Sequence, residues 1–267
     1  PAISPEILFI RVSASCSACS VVFSSSYTFT QEISMLQAIV KRIPVKTIVT
    51  TELVDKIAAK YVVEVRNVLT GFKFIGEQIG FLEAKGEEDR YIFGFEESYG
   101  YLSGSYVRDK DAVDASMLIC EMAAFYRKQG KSILQQLNAL YAEYGVFCHT
   151  QQSFVCEGES GMERMSNIME QLRVAPPKKV GQYDVVGTED YEKSEIVDKN
   201  SGTVTPITLP KSNVIAFRLQ NEARVVVRPS GTEPKIKVYY TTTGKTSEDA
   251  ANLTKSIQND FTKILGF

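Results

Sequence analysis

The chain has 267 residues, 44% of them apolar, enough for one large domain or two modest ones. Its 30 basic and 32 acidic residues leave a net charge of -2, which excludes a broadly basic face for nucleic acid or an anionic membrane and makes any anion site a local arrangement. The five cysteines are odd in number and dispersed, which fits a reduced, cytoplasmic protein, and no apolar run approaches the roughly 18 residues of a membrane span.

Residues 1–35 are rich in Ser and Cys, show no clean period and stay unassigned. From residue 36 a regular pattern sets in. Residues 45–49 predict a strand, with Thr50 or Thr51 capping a helix that turns Leu53, Ile57 and Tyr61 to one side. A β-branched strand over 62–68, a short helix over 72–81 and a strand over 91–95 follow. A helix over 110–126, capped by Asp109, carries an expected buried stripe of Val113, Met117, Cys120 and Ala124. Another over 132–144 faces inward through Ile133, Leu137, Leu140 and Tyr144, and Gly145 stops it. Strands alternating with helices predict an α/β domain, a mixed sheet flanked by helices, over 36–158.

A helix over 162–173, with Met162, Met165, Met169 and Leu172 on its apolar face, opens the second half. Three close strands at 214–219, 223–227 and 236–241 precede a last helix over 248–265, capped by Thr246 or Ser247 and packed through Ala250, Ile257, Phe261 and Ile264. Consecutive strands and then a helix predict an α+β domain over 159–267, an antiparallel sheet with helices on one face.

Two loops carry candidate chemistry. Arg228-Pro229-Ser230-Gly231-Thr232-Glu233-Pro234 lies between two β-rich runs. Gly231 permits a tight bend that points successive N–H groups at an anion, Ser230 and Thr232 add hydroxyls, and Arg228 adds a planar charge suited to phosphate. The competing reading is an ordinary turn, built from the same residue types. Phe95-Glu96-Glu97-Ser98-Tyr99-Gly100-Tyr101 follows a predicted strand, where α/β folds place ligands. Its carboxylates and hydroxyl suit sugar hydroxyls and its tyrosines can cover a ring; a plain polar loop is the competing reading. Paired carboxylates also raise glycosidase chemistry, but neighbours on one strand point to opposite faces, which weakens it. Cys16-Ser17-Ala18-Cys19 has the spacing of a metal or redox pair without a second pair to complete a site, and Asp109, Asp111 and Asp114 read as a helix start, not a calcium loop.

In order, the runs Val45 to Val49, Thr70-Gly71-Phe72-Lys73-Phe74-Ile75-Gly76, Gly94 to Gly100, Arg108-Asp109-Lys110-Asp111 and Arg228 to Pro234 make the chain similar to the α-D-phosphohexomutase family, from Val45 to the C-terminus. Tyr after the loop serine resembles the phosphoglucomutase branch. The resemblance implies the third and fourth of four domains around a central cleft. It implies that Glu96 and Ser98 grip sugar hydroxyls, that Arg228, Ser230, Gly231 and Thr232 hold the phosphate not being transferred, and that Lys46, Lys73 and Lys110 line the cleft. Lys46 and Lys73 then belong with the sugar-binding residues and Lys110 is a general acid/base or an electrostatic aid; a solvated surface charge is the alternative for each.

The family interconverts hexose 1-phosphate and hexose 6-phosphate, of glucose or mannose, through a phosphoserine and a hexose 1,6-bisphosphate. That makes it an isomerase acting by intramolecular phosphotransfer. Neither its Thr-Ala-Ser-His-Asn-Pro serine loop nor its Asp-Gly-Asp-x-Asp-Arg magnesium loop occurs in these residues. Mg2+ is therefore expected with the full-length enzyme and not on this chain, which is expected to be inactive alone. Hexose phosphates and the bisphosphate are the implied partners, with neither nucleic acid nor membrane. A non-catalytic phosphosugar-binding module would share every one of these loops.

Overall fold

The computed structural model describes residues 42–158 and 160–267. The unassigned stretch 1–35 and the Cys16–Cys19 spacing lie outside the described residues. The chain divides into two compact units, Pro1–Tyr144 and Gly145–Phe267.

In the first unit, β1 (Ile43–Thr47), β2 (Arg66–Val68), β3 (Tyr91–Phe95) and β4 (Tyr101–Leu102) form a sheet in the order β2-β1-β3-β4. The first three strands run parallel, and β4 pairs antiparallel to β3. All five residues of β1 and of β3 are buried, as befits parallel strands covered on both faces. Helices α1 (Leu53–Lys60), α2 (Phe72–Glu83), α3 (Ala112–Lys128) and α4 (Ile133–Tyr144) complete the unit. Phe72, Ile75, Ile79 and Leu82 recur at helical spacing on α2 and join Ile43, Val45, Val68, Tyr91 and Leu102 in one core. At Gly76 a side-chain carbon would run into the carbonyl oxygen of Arg108, so a glycine there lets the segment before α3 lie against α2.

Four local expectations change. The strand expected from residue 62 begins at Arg66, because Val62 takes a left-handed φ of 55° and stands 72% exposed. Tyr61 is likewise exposed instead of facing in. On α3 the expected stripe points outward: Val113 is 80% and Met117 58% exposed, while Met122 and Tyr126 are the buried pair. The cap is Asp111, not Asp109; its carboxylate accepts from the N–H groups of Val113 and Asp114.

The second unit is built on an antiparallel sheet of β5 (Val146–Val155), β7 (Tyr183–Asp190), β8 (Glu195–Asp198), β9 (Val204–Pro206), β10 (Ile215–Leu219), β11 (Arg224–Pro229) and β12 (Lys235–Gly244). The strands lie in the order β5-β12-β11-β10-β7-β8-β9, and a short β6 (Lys179–Val180) pairs with β7. Helices α5 (Gly161–Val174) and α6 (Ser247–Ile264) supply Met165, Ile168, Met169, Leu172, Ile257 and Phe261 to the core under β10, β11 and β12. Met162, expected inward, is 50% exposed and Ile168 takes its place, while Ile264 is 39% exposed. Thr246 caps α6 in a full capping box with Asp249. The sequence reading put the junction after residue 158, but β5 pairs with β12 along its whole length and so belongs to the second unit.

Candidate functional site

In the first unit the candidate residues gather at the carboxyl edge of the parallel strands. Lys46 pairs in register with Phe95, so the loop after β3 starts beside the end of β1. The loop closes on itself through the N–H of Glu96 donating to the carbonyl of Gly100 (3.0 Å). Glu96 is buried, Glu97 is half-buried, and Ser98 and Tyr99 are exposed. Thr47 Oγ1 donates to Glu97 Oε2 (2.9 Å) and shares a hydrogen bond with Thr50 Oγ1 (2.6 Å). The second carboxylate therefore fastens the loop to β1 and leaves Ser98 on the exposed rim. Gly100 lies against the Glu96 side chain: a side-chain carbon there would sit 2.7 Å from Glu96 Oε1.

The three lysines separate. Lys46 is 2% exposed, and its Nζ lies 3.0 Å from Asp55 Oδ2 of α1. That charge is committed to the fold. Lys73 is exposed on the first turn of α2, over the ring of Phe74 (4.9 Å). Lys110 lies over the ring of Phe72, the first residue of that helix (5.8 Å), while its Nζ is 3.0 Å from Asp109. Lys73 and Lys110 are thus brought to the same helix start, where the backbone N–H groups and positive end of the dipole add to an environment suited to an anion. Of the nearby aspartates, Asp111 caps α3, Asp114 accepts from the N–H and hydroxyl of Ser103, and Asp109 holds Lys110. These three carboxylates are engaged and do not fit a metal.

In the second unit, the loop between β11 and β12 presents Arg228 at the end of β11, with Val227 beside it in the core. Adjacent residues on a strand face opposite ways, so Arg228 points away from the helices. Its cross-strand partner is Lys237. Two cations therefore share one face, about 5 Å apart at the backbone. The loop is braced by the N–H of Ser230 donating to the carbonyl of Lys235 (2.7 Å). Ser230 Oγ accepts long contacts from the N–H groups of Thr232 (3.4 Å) and Glu233 (3.3 Å), which leaves its own proton to donate. Lys235 lies 2.7 Å from Glu233 and holds that carboxyl below its ordinary range. Gly231 does not take a left-handed φ, and nothing lies within 4 Å of where a side-chain carbon would stand. Residues 231–234 bend as the sequence predicts, and the backbone at Gly231 is open to a ligand.

Lys237 escaped the sequence reading. Its signal was the alternation Lys235-Ile236-Lys237-Val238, which sets every second residue opposite the core.

Family models match most of each unit. Residues 30–144 match "Phosphoglucomutase/phosphomannomutase, alpha/beta/alpha domain III", and residues 171–258 match "Phosphoglucomutase/phosphomannomutase, C-terminal domain". The chain belongs to the phosphoglucomutase/phosphomannomutase family. A phosphoglucomutase of Staphylococcus aureus (strain MSSA476) is 39% identical over 210 residues, covering 79% of this chain and 37% of its own. One from Staphylococcus epidermidis is 37% identical over 207 residues, 78% of this chain and 37% of its own. The chain thus spans little more than a third of the curated relatives it matches. Among solved structures, the open form of the Paramecium phosphoglucomutase pp63/parafusin superposes with a TM-score of 0.57 at 19% identity, over 84% of this chain and 38% of that one. A phosphomannomutase from Thermus thermophilus does so at 0.56 and 15%, over 99% and 41%. Both show the fold.

Proposed function

We propose that this chain is the substrate-recognition part of a hexose-phosphate mutase. Arg228, Ser230, the backbone at Gly231, Thr232 and Lys237 form the phosphate clamp, and Glu96 and Ser98 grip sugar hydroxyls. The observation that carries it is the braced turn of the second unit, with two cations on one face and open space over Gly231. In such an enzyme a phosphoserine gives its phosphoryl group to a hydroxyl of hexose monophosphate, and the other phosphate of the resulting bisphosphate returns to the serine. A fixed clamp serves both half-reactions, because the phosphate it holds is never the one in transfer. Lys110, at the start of α2, offsets negative charge on phosphoryl oxygens, with Lys73 beside it. Lys46 acts through the fold, holding the end of β1 under the sugar loop. The serine and the magnesium ligands come from the rest of the enzyme, so this chain binds substrate and does not turn it over.

Titration calorimetry with glucose 1-phosphate and mannose 1-phosphate tests this. Binding at millimolar or lower concentration is expected, weakened about tenfold or more by Arg228→Ala and less by Ser230→Ala or Lys237→Ala. No heat from either sugar phosphate with the intact chain removes the reading. Binding that ignores all three substitutions removes the clamp.

A further inference from the structure

Tyr99 has two properties that conflict with a purely structural role. Its backbone is left-handed, with φ at 66°, a region that costs an aromatic residue energy. Its side chain is 72% exposed, so little packing offsets that cost. A glycine stands next to it, yet the turn does not place the left-handed residue there. Gly100 is already used: it packs against the Glu96 carboxylate, where any side-chain carbon would sit 2.7 Å from Oε1. The hydrogen bond from Glu96 N–H to the Gly100 carbonyl and the anchor from Thr47 to Glu97 fix the turn in place. The left-handed position falls on residue 99. Glycine or asparagine would fill it without strain, and the sequence has tyrosine. Its ring is exposed next to Ser98, on the rim of the loop whose buried carboxylate is Glu96.

We infer that Tyr99 is a sugar-contacting residue, its ring lying against the apolar C–H face of the hexose while Glu96 and Ser98 take the hydroxyls. The inference rests on the sugar-loop reading above. A tyrosine has only two side-chain torsions to lose on binding, and a stacked aromatic adds affinity that hydrogen bonds to hydroxyls alone do not give.

The test measures affinity for glucose 1-phosphate, mannose 1-phosphate and inorganic phosphate, together with thermal stability, for the intact chain and for Tyr99→Gly, Tyr99→Asn and Tyr99→Phe. Gly and Asn both accept a left-handed backbone, so one folded variant of the two suffices. The expected result is a loss of about three- to tenfold in affinity for at least one sugar phosphate in Tyr99→Gly and Tyr99→Asn. Tyr99→Phe keeps its affinity, inorganic phosphate binds all variants equally, and the melting temperature of Tyr99→Gly is no lower than that of the parent. If the parent binds sugar phosphates and the Gly and Asn variants bind them equally well, Tyr99 is not a contact and the sugar-loop reading survives. If the parent binds inorganic phosphate but gains nothing from the sugar, the sugar-loop reading falls and this inference with it.

Discussion

Lys46 and Arg228 are both cations at strand ends, and their surroundings give them opposite roles. Lys46 is buried against Asp55, which also accepts from Asn67 (3.3 Å). Taking away a carboxylate beside a buried ammonium costs more than the pair itself contributes, because the buried charge left behind loses an opposite charge next to it. Asp55→Ala is expected to destabilise the first unit by about 2–3 kcal/mol in urea unfolding, and adding Lys46→Met to it should recover most of the loss. If the double variant is no more stable than the single one, Lys46 does not owe its place to this pair. Sequence alone could not separate the two cations. A lysine after Val45 and an arginine after Val227 sit in equivalent β-rich contexts, and only the helix packed alongside supplies an aspartate to one of them.

At the scale of an element, the start of α3 shows how charge sets a boundary. The N–H of Asp114 and then the Tyr106 hydroxyl hold the Asp111 carboxyl below its ordinary value of 3.8. A depressed carboxyl favours folding while it is ionised. Its contribution is therefore full above that ordinary value and is lost as pH falls through the lower folded value. The amides of Val113 and Asp114 are expected to lose protection from hydrogen exchange below about pH 4. In Asp111→Asn, which caps without titrating, they should stay protected over the same range. Equal pH dependence in both proteins would rule out the cap as the cause.

The same helix shows what was legible in the sequence. Its existence and approximate span follow from residue pattern, but its buried side does not. Val113, Met117, Cys120 and Ala124 make one helical stripe, while Ala115, Leu118, Ile119, Met122 and Tyr126 make another, and the second is the one turned inward. A helix apolar on two sides does not announce which one meets the sheet. β3 was readable to the residue because it is an unbroken run without a polar position, bounded by charges on both sides. β8 and β9 were not, because an edge hairpin with no buried residue, turned by Asp198 and Ser201, has no alternation to read. At the site, the loops were legible because turn residues and charges stand close in sequence. Lys237 was not, since its partnership with Arg228 exists only across the hairpin.

For the whole molecule, the boundary at Gly145 has consequences that a boundary after residue 158 does not. Each unit has its own core, and that of the second draws on both helices and on strands from β5 to β12. β5 covers the edge of β12 over ten paired positions and contributes Phe154 and Thr150, the latter accepting from Gln258 of α6 (2.9 Å). Residues 145–267 produced alone are expected to unfold in one cooperative transition. Residues 159–267 keep the loop from Arg228 to Pro234 intact, but they lose Phe154 from the core and expose the long edge of β12 to other chains. That shorter piece is expected to aggregate or to melt without cooperativity, even though it contains every residue of the proposed clamp. Light scattering and thermal denaturation of the two pieces side by side decide the matter. A stable, monomeric 159–267 would show that the second unit folds without β5, whereas its collapse beside a well-behaved 145–267 would show that the turn from Arg228 to Pro234 depends on a strand far before it in sequence, through the long β12 that the two share as a neighbour.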